Sequence, residues 1–294
     1  MSSFSSLIQR IQKGLSAVEL VYTTHARWPL PSGPLSNPVL HISVLDASFN
    51  PPTLAHLALA SAPPPPPVHP ISISTQISDN YDAKLLLLSR LEMMLLLAQD
   101  IHGSAADPSG YRGQSNIAVA IIDEPTFVGK SSVLLEFLRQ RLTSLLRSPD
   151  IAASPDVTVP GEIPAVRPQL TFLVGMDTLD RLFSPRYYSS EQAMHAGLLK
   201  FLSSDGDDSR LVCARRSLRG ATQSEEELEV RVMNTVKGFV ESSRVSVVDI
   251  TEDVRSFSSS EVRELIMKGD HAWRSMVPEK IGNYIMEHRL YRST

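Results

Sequence analysis

The chain has 294 residues, a formal net charge of −4 at pH 7 and a hydrophobic content of 42%. This hydrophobic content is sufficient for a folded core and argues against global disorder, and the length fits one large α/β domain or two small ones. The absence of a long basic run argues against nucleic-acid binding as the main task, and no apolar run approaches the length of a membrane span. The single cysteine, Cys213, excludes an internal disulfide and a cysteine-type zinc site.

The N-terminal segment has two interpretations. Residues 1–18 contain basic residues and serines but no acid, and their apolar side chains fall on one face of a helix. We expect a helix that docks on the domain, since the pattern continues to Val21; the alternative is a mitochondrial presequence. We therefore divide the chain into an N-terminal helix and linker at 1–38 and one domain at 39–294, and we expect the protein in the cytoplasm, the nucleus or both.

The rest of the chain alternates between predicted strands and helices. Strands are predicted at 39–45, 71–75, 116–122, 169–175, 210–214 and 244–249, and helices at 53–61, 81–100, 130–147, 177–183, 224–240, 258–268 and 278–288. This alternation predicts an α/β fold with a doubly wound, Rossmann-like parallel sheet and helices on both faces. Loops are predicted at 102–115 and 148–168, and Pro63–Pro67 is interpreted as a surface spacer rather than a ligand for an SH3-type partner.

The most informative stretch lies where the first of these strands ends. The apolar run Val39–Leu45 is followed by Asn50-Pro51-Pro52, and the two prolines fix φ and remove two backbone donors. Thr53 can then cap the following helix, which places His56 one turn into it. Free N–H groups at a helix start beside the carboxyl end of a parallel strand are typical of a phosphate site.

A second stretch with similar chemistry, Phe257–Arg263, lies near the other end of the chain. Its serines, Ser258–Ser260, stand at a predicted helix start, and Arg263 follows one turn later. Helix N–H groups, hydroxyls and a guanidinium together suit a triphosphate. The alternative is purely structural, because Ser258 and Glu261 fit a capping box and the arginine can be a solvated helix residue.

Both stretches resemble signature motifs of the HIGH-type nucleotidyltransferase superfamily. The first motif, G-S-F-N-P-x-[H/T]-x-G-H in the adenylyltransferase branch, is matched at Ser48, Phe49, Asn50, Pro51, Thr53 and His56. Ala47 and Ala55 replace its two glycines. Ala47 is compatible with the motif if its φ is negative, whereas Ala55 adds a methyl group where the family packs a nucleotide. The second stretch is similar to the family's I-S-S-T-x-[IV]-R.

Further matches extend the resemblance over about residues 39–292. Leu170–Asp177 resembles a strand that ends in G-x-D, Leu211–Arg216 resembles a strand that ends in an arginine, and Arg90–Met93 resembles an R-x-x-M helix motif. The segment 277–291 resembles the family's C-terminal V-P-x-x-V-x-x-Y-I tail. The group that the chain resembles most is the nicotinamide-mononucleotide adenylyltransferases of eukaryotes, in particular their divergent fungal members.

The resemblance implies an enzyme that transfers AMP from ATP to nicotinamide mononucleotide, or also to the nicotinate form, and releases pyrophosphate. Mg²⁺ would accompany ATP, bound largely through water, without a metal site of the protein's own. The implied roles are catalytic for His56, Thr53 and Arg263, and ATP-binding for Ser48, Phe49, Asn50, Ser258, Ser259, Ser260, Asp177 and Arg216.

Three residues are candidates for contact with the pyridine mononucleotide. Lys84 lies near the start of a predicted helix, where the family has a lysine that contacts substrate phosphate. Phe127 follows a predicted strand and has an aromatic face that suits the pyridine ring. Tyr187 lies after Asp177, where bacterial relatives carry a stacking tryptophan. For each of the three, an ordinary role as an exposed, core or rim residue is the alternative.

Two functional alternatives stay open. One is another adenylyl- or cytidylyltransferase of the same fold. The other is a degenerate nucleotide-binding protein with a regulatory or quality-control role, which Ala47, Ala55 and the long loops suggest and which retention of His56 and Arg263 opposes. The expected partners are ATP and a pyridine mononucleotide, not nucleic acid or a membrane, and formation of a homo-oligomer stays open.

Overall fold

The structure, a computed structural model, is built around a seven-stranded sheet with helices on both faces. It describes residues 2–31, 38–62, 73–77, 84–104, 116–147, 166–215, 223–250, 253–254 and 257–292. The strands are β1 (Val18–Thr23), β2 (Val39–Ala47), β3 (Ile73–Ile77), β4 (Ile117–Ile122), β5 (Arg167–Gly175), β6 (Arg210–Arg215) and β7 (Val245–Asp249). The helices are α1 (Ser2–Gln12), α2 (Leu54–Ser61), α3 (Lys84–Ser104), α4 (Phe127–Leu146), α5 (Met176–Leu182), α6 (Glu191–Leu202), α7 (Gln223–Glu241), α8 (Ser259–Lys268) and α9 (Glu279–Glu287), with 3₁₀ turns at Pro185–Tyr187 and His271–Met276.

The strand order creates a crevice beside the central strand. The order is β1-β4-β3-β2-β5-β6-β7, with β1 antiparallel to β4 and all other neighbours parallel. From β2 the chain passes to β3 and β4 on one side and then returns to β5 on the other side. Connections that leave in opposite directions open a crevice at the carboxyl ends of the two strands, which is where α/β sheets bind ligands.

Two apolar clusters, one on each face, hold the sheet between its helices. One cluster packs α4, α5, α6 and α7 against the sheet, and the other packs α1, α2, α3, α8 and α9. The central strands supply both, since all six residues of β4 and seven consecutive residues of β5 are buried. Strands that are buried on both faces read as continuous apolar runs, which is why these were recognisable in the sequence. The predicted fold class is therefore confirmed.

The N-terminal region departs from the prediction in one respect. Helix α1 docks as expected and buries Ile8 and Ile11 against the second cluster. The helical pattern does not continue to Val21, because residues 18–23 form β1 and pair with β4 at the sheet edge. The β-branched content of this segment explains the strand. Residues 18–23 thus belong to the sheet rather than to a linker.

Two other differences concern elements and loops. Helix α6 was not predicted, although Ser190 caps it and its apolar residues follow a helical period. Pro63–Pro67 and most of the predicted loops at 102–115 and 148–168 lie outside the described residues. No helix in the described part of the chain has the length and apolarity that a bilayer span requires.

Candidate functional site

A cavity of about 260 Å³ opens at the carboxyl edge of the sheet, between the ends of β2 and β5. Its position coincides with the crevice that the strand order creates. Residues from both ends of the chain meet there, because α2 follows β2 and α8 lies beside it. The lining residues are Leu45, Asp46, Ala47, Ala55, His56, Leu59, Leu173, Val174, Gly175, Met176, Asp177, Thr178, Arg181, Ala214, Ile250, Phe257, Ser258 and Ser259.

The start of α2 fixes the position of His56. Thr53 is the N-cap residue, in an extended conformation and fully buried. The backbone N–H of Thr53 donates to His56 Nδ1 at 3.1 Å, and the Thr53 hydroxyl oxygen lies 2.9 Å from the same nitrogen. His56 therefore takes the third helical position of a capping box, which a glutamate or glutamine usually occupies. Thr53 acts on the site through His56, since it is not part of the cavity wall.

These contacts also determine the protonation of the imidazole. Burial lowers the pKa of His56 from its ordinary value of 6.5 to about 4, so the ring is neutral at pH 7. Because Nδ1 accepts the hydrogen bond from Thr53, the single proton is on Nε2. His56 thus offers the cavity one N–H donor without a positive charge.

The loop before α2 holds three residues of the first motif. Phe49 is fully buried with a φ of 47°, and its ring centroid lies 5.3 Å from that of His56. Ser48 is exposed. Asn50 is held on two sides: its Oδ1 accepts from the Tyr291 hydroxyl at 2.8 Å and its carbonyl accepts from Arg263. The loop is therefore fixed by side chains from the C-terminal part of the chain.

The start of α8 closes the opposite side of the cavity. Ser258 caps the helix by accepting from the Glu261 backbone N–H at 3.1 Å, as the structural interpretation of this motif predicts. The Ser259 hydroxyl donates to the Pro51 carbonyl at 2.7 Å. Arg263 donates to the Asn50 carbonyl at 2.6 Å and to the Ser260 hydroxyl at 3.1 Å. The two motifs, distant in sequence, therefore form one connected unit.

The wall opposite α2 comes from the end of β5 and the first turn of α5. Asp177 and Arg181 lie there, and the Arg181 guanidinium donates to the Asp177 carbonyl at 3.3 Å. Both alanines of the first motif also line the cavity. Ala47 lies in extended strand backbone with a negative φ, so the expected compatibility of this replacement is confirmed.

Of the predicted residues, His56, Asp177, Ser258 and Ser259 line the cavity, whereas Ser48, Phe49, Asn50, Thr53, Ser260 and Arg263 belong to the connected unit or its loop without lining it. The remaining four lie away from the cavity or outside the described residues. The Phe127 ring packs edge-on against Phe172 at 5.7 Å, within the first apolar cluster. Tyr187 is 51% exposed, with the Arg186 guanidinium 4.7 Å from its ring centroid. Arg216 and the side chain of Lys84 lie outside the described residues.

Three residues of the site region were not identified from the sequence. Asp46 lines the cavity and forms a buried salt bridge with Lys130 of α4. Tyr291, which supports Asn50, was noted only as part of a C-terminal tail. An acidic residue at the end of an otherwise apolar strand is a sequence signal that could have marked Asp46.

A larger cavity, of about 470 Å³, lies elsewhere on the surface, between residues 266–273 and 285–292. It contains none of the predicted site residues and has no part in the connected unit described above. Within the described ranges, no group of three or more His, Cys, Asp or Glu side chains could hold a metal ion. Cys213 is buried, and burial raises its pKa to about 12, as expected for an inert core thiol.

Comparisons with known proteins support the resemblance. No protein-family model matches the chain. The chain is 26% identical over 258 residues to a Schizosaccharomyces pombe protein named "Putative nicotinamide mononucleotide adenylyltransferase". The alignment covers 85% of this chain and 86% of that protein. This similarity confirms the resemblance that the motifs indicate, that of a divergent member of the group.

Solved structures give weaker likenesses. Two structures of Plasmodium falciparum nicotinic acid mononucleotide adenylyltransferase, complexed with APC and with NaAD, are 13% and 15% identical to this chain. Each covers 85% of this chain, and the matches span 96% and 97% of those chains with TM-scores of 0.47 and 0.46.

Proposed function

We propose that this chain is a nicotinamide-nucleotide adenylyltransferase, which transfers AMP from ATP to a pyridine mononucleotide and releases pyrophosphate. The observation that carries the proposal is the meeting of the two motifs at one cavity, with His56 on one side and Ser258 and Ser259 on the other. The similarity to the S. pombe protein supports the same reaction class.

The site suits a triphosphate because two helices begin beside it. Helices α2 and α8 direct free backbone N–H groups and the positive ends of their dipoles toward the space between them. Arg263 adds a fixed cation next to the Asn50 loop, and its hydrogen bonds orient the guanidinium before any nucleotide arrives. We place the ATP phosphates between these two helix starts.

The reaction needs positioning more than it needs acid–base chemistry. The mononucleotide phosphate is an anion at neutral pH and attacks the α-phosphorus of ATP directly, while the bond from that phosphorus to the bridging oxygen breaks and pyrophosphate leaves. His56 donates from Nε2 to phosphate oxygens on which negative charge develops, and its position is fixed by Thr53. A neutral donor held in this way acts without a proton transfer of its own.

Mg²⁺ enters this scheme with the substrate. It is carried by the ATP phosphates and by water, which is how this ion commonly binds with nucleotides. Two carboxylates lie in the cavity wall, Asp46 at the end of β2 and Asp177 in the first turn of α5. Because Mg²⁺ keeps most of its water when it binds with a nucleotide, the scheme needs no ligand from either of them.

The proposal is tested with a substrate panel on the purified chain. ATP is incubated with nicotinamide mononucleotide or nicotinate mononucleotide, and both pyrophosphate and the dinucleotide product are measured. We expect stoichiometric formation of the two products with at least one mononucleotide. ATP binding without pyrophosphate release would favour the degenerate nucleotide-binding protein, an interpretation supported by the Ala55 methyl group in the cavity wall. Pyrophosphate release only with phosphocholine-type acceptors and CTP would favour a cytidylyltransferase.

A further inference from the structure

Asp46 is a cavity residue to which neither motif gives a role. It is the penultimate residue of β2, immediately before the first motif, and it forms part of the cavity wall. Its side chain is nevertheless only 5% exposed. A carboxylate that is this buried needs partners for its oxygens, since water cannot supply them freely.

Among the residues that the structure describes, a partner exists for one oxygen of this carboxylate only. Lys130 of α4, with a side chain that is 4% exposed, donates to Asp46 Oδ2 and lies 5.2 Å from the centroid of the Phe127 ring. Asp46 Oδ1 has no hydrogen-bond partner and almost no solvent-exposed surface. Burial raises the pKa of the Asp46 carboxyl, and the neighbouring Lys130 opposes this rise. The pair is a buried salt bridge that is incompletely satisfied.

The chemistry of the unsatisfied oxygen determines which kind of partner it needs. An ionised carboxylate oxygen only accepts hydrogen bonds, so the missing partner is a donor. Four buried side-chain oxygens in the described residues lack a partner, and Asp46 Oδ1 is the one that belongs to a charged group and to the cavity wall. Each such oxygen loses its hydration without compensation. The partner that the described residues do not supply would have to come from whatever occupies the cavity, and an anionic group is excluded beside this oxygen by repulsion.

We infer that Asp46 is a nucleotide-binding residue whose Oδ1 accepts a hydrogen bond from an N–H or O–H donor of the bound nucleotide, and that Lys130 is the positioning residue that holds the carboxylate. The identity of the nucleotide rests on the proposed function. Three groups of its substrates have this chemistry: the carboxamide of nicotinamide mononucleotide, the amino group of adenine and the ribose hydroxyls.

The test uses variants that keep the volume of the pair. Asp46→Leu/Lys130→Met removes both charges and the acceptor, and exchange of a buried ion pair for apolar residues of similar size is often tolerated. Asp46→Asn/Lys130→Met removes the charges but retains an acceptor oxygen. Asp208→Asn, which alters a buried carboxylate at the opposite edge of the sheet, is the matched control. Thermal melts of all three precede the binding measurements.

Affinities are measured by titration calorimetry with nicotinamide mononucleotide, nicotinate mononucleotide, ITP and a non-hydrolysable ATP analogue. We expect the Leu/Met variant to bind one substrate at least roughly tenfold more weakly, the scale of one lost hydrogen bond to a charged group, and the Asn/Met variant to recover most of this loss. A loss of affinity for nicotinamide mononucleotide but not for nicotinate mononucleotide identifies the carboxamide as the donor. A loss of affinity for the ATP analogue but not for ITP identifies the adenine amino group. An equal loss for the two mononucleotides, or for the ATP analogue and ITP, identifies a ribose hydroxyl.

Either of two results would overturn this inference and leave the proposed function unaffected. One is unchanged affinity of the Leu/Met variant for every nucleotide that the wild-type chain binds. The other is a loss that asparagine does not recover, which would assign the pair a structural role. Wild-type protein that binds none of the nucleotides would overturn the proposed function together with this inference.

Discussion

Two buried aspartates at opposite edges of the sheet differ in how the protein treats them. Asp208, just before β6, lies at the amino edge and accepts hydrogen bonds from Arg167 at 2.9 Å, from Gln169 at 2.6 Å and from Arg244. Asp46 lies at the carboxyl edge and has a single partner in the described part of the chain, Lys130. Burial acts to raise the pKa of both, but the donors around Asp208 lower its pKa overall, whereas that of Asp46 is raised.

The two aspartates illustrate the difference between a polar group that stabilises the fold and one that is available to a ligand. At the amino edge the protein satisfies its own buried charge, as expected where a polar group contributes to the fold. At the carboxyl edge Asp46 Oδ1 has no partner among the described residues, the neutral His56 lines the cavity, and two helix starts face the same space. The cavity rather than the larger surface pocket is the candidate site because both motifs meet there.

The largest expected change in stability comes from the amino edge. Asp208→Asn replaces an acceptor by an amide that also donates, so the two arginines lose a charged partner. We expect the free energy of unfolding to fall by about 2 kcal/mol, the scale of hydrogen bonds to a charged group, with unchanged kcat/KM for the folded fraction. Denaturant unfolding and steady-state kinetics measure the two quantities. A loss of kcat/KM comparable to that of a cavity variant would abolish the contrast between the edges.

The next prediction concerns Arg263, at the carboxyl edge of the sheet. Arg263→Ala removes the hydrogen bonds to the Asn50 carbonyl and to Ser260, and it removes a cation from the proposed phosphate site. We expect ATP to bind roughly tenfold more weakly and kcat to fall as well, because a ground-state contact and the support of the loop are lost together. Lys268→Ala on the same helix is the control, since its exposed pair with Glu264 contributes little. Equal ATP affinity in the two variants would argue against Arg263 as a phosphate ligand.

The smallest expected effect is a pH dependence that comes from His56. Its folded pKa, about 4, lies below its ordinary value of 6.5, so the unfolded chain binds more protons between these values. The stability contributed by neutral His56 is therefore present above pH 6.5 and is lost as the pH falls toward 4. Asp208, whose pKa is lowered, loses its contribution only at still lower pH.

This dependence is measured as melting temperature against pH. His56→Gln is the comparison, because glutamine can keep the reciprocal capping bond to the Thr53 N–H while it removes the titrating ring. We expect the wild-type melting temperature to fall more steeply between pH 6.5 and 4 than that of the variant. Parallel curves would show that His56 titrates normally.

Much of the fold could be predicted because the central strands are recognisable from their sequences. Buried on both faces, β4 is a continuous apolar run and β5 is mostly apolar, and Asn50-Pro51-Pro52 marks the turn between β2 and α2. Strand β1 could not be recognised, since its pairing with β4, about a hundred residues away, outweighs a local pattern that also fits a helix. Helix α6 had both a cap and an apolar period, so its omission was avoidable.

The position of a site residue could be predicted where a motif contains it. The motifs predict one site for His56, Ser258 and Ser259, and these three line one cavity, while their roles in catalysis and ATP binding stay predictions. Lys130 and Tyr291 were not predictable, because their partners, Asp46 and Asn50, lie far away in sequence and only the packed structure brings them together.

The central claim is that His56 stabilises charge on the transferred phosphate, and the kcat of His56→Ala in the ATP and nicotinamide mononucleotide reaction tests it most directly. At saturating substrates we expect kcat to be roughly 10²–10³-fold lower, the scale for loss of one preorganised donor. Stability should fall by only about 1 kcal/mol, the scale of a lost capping contact. Turnover equal to that of the wild type, in a variant shown to be folded, would contradict the assignment of this cavity as the adenylyl-transfer site.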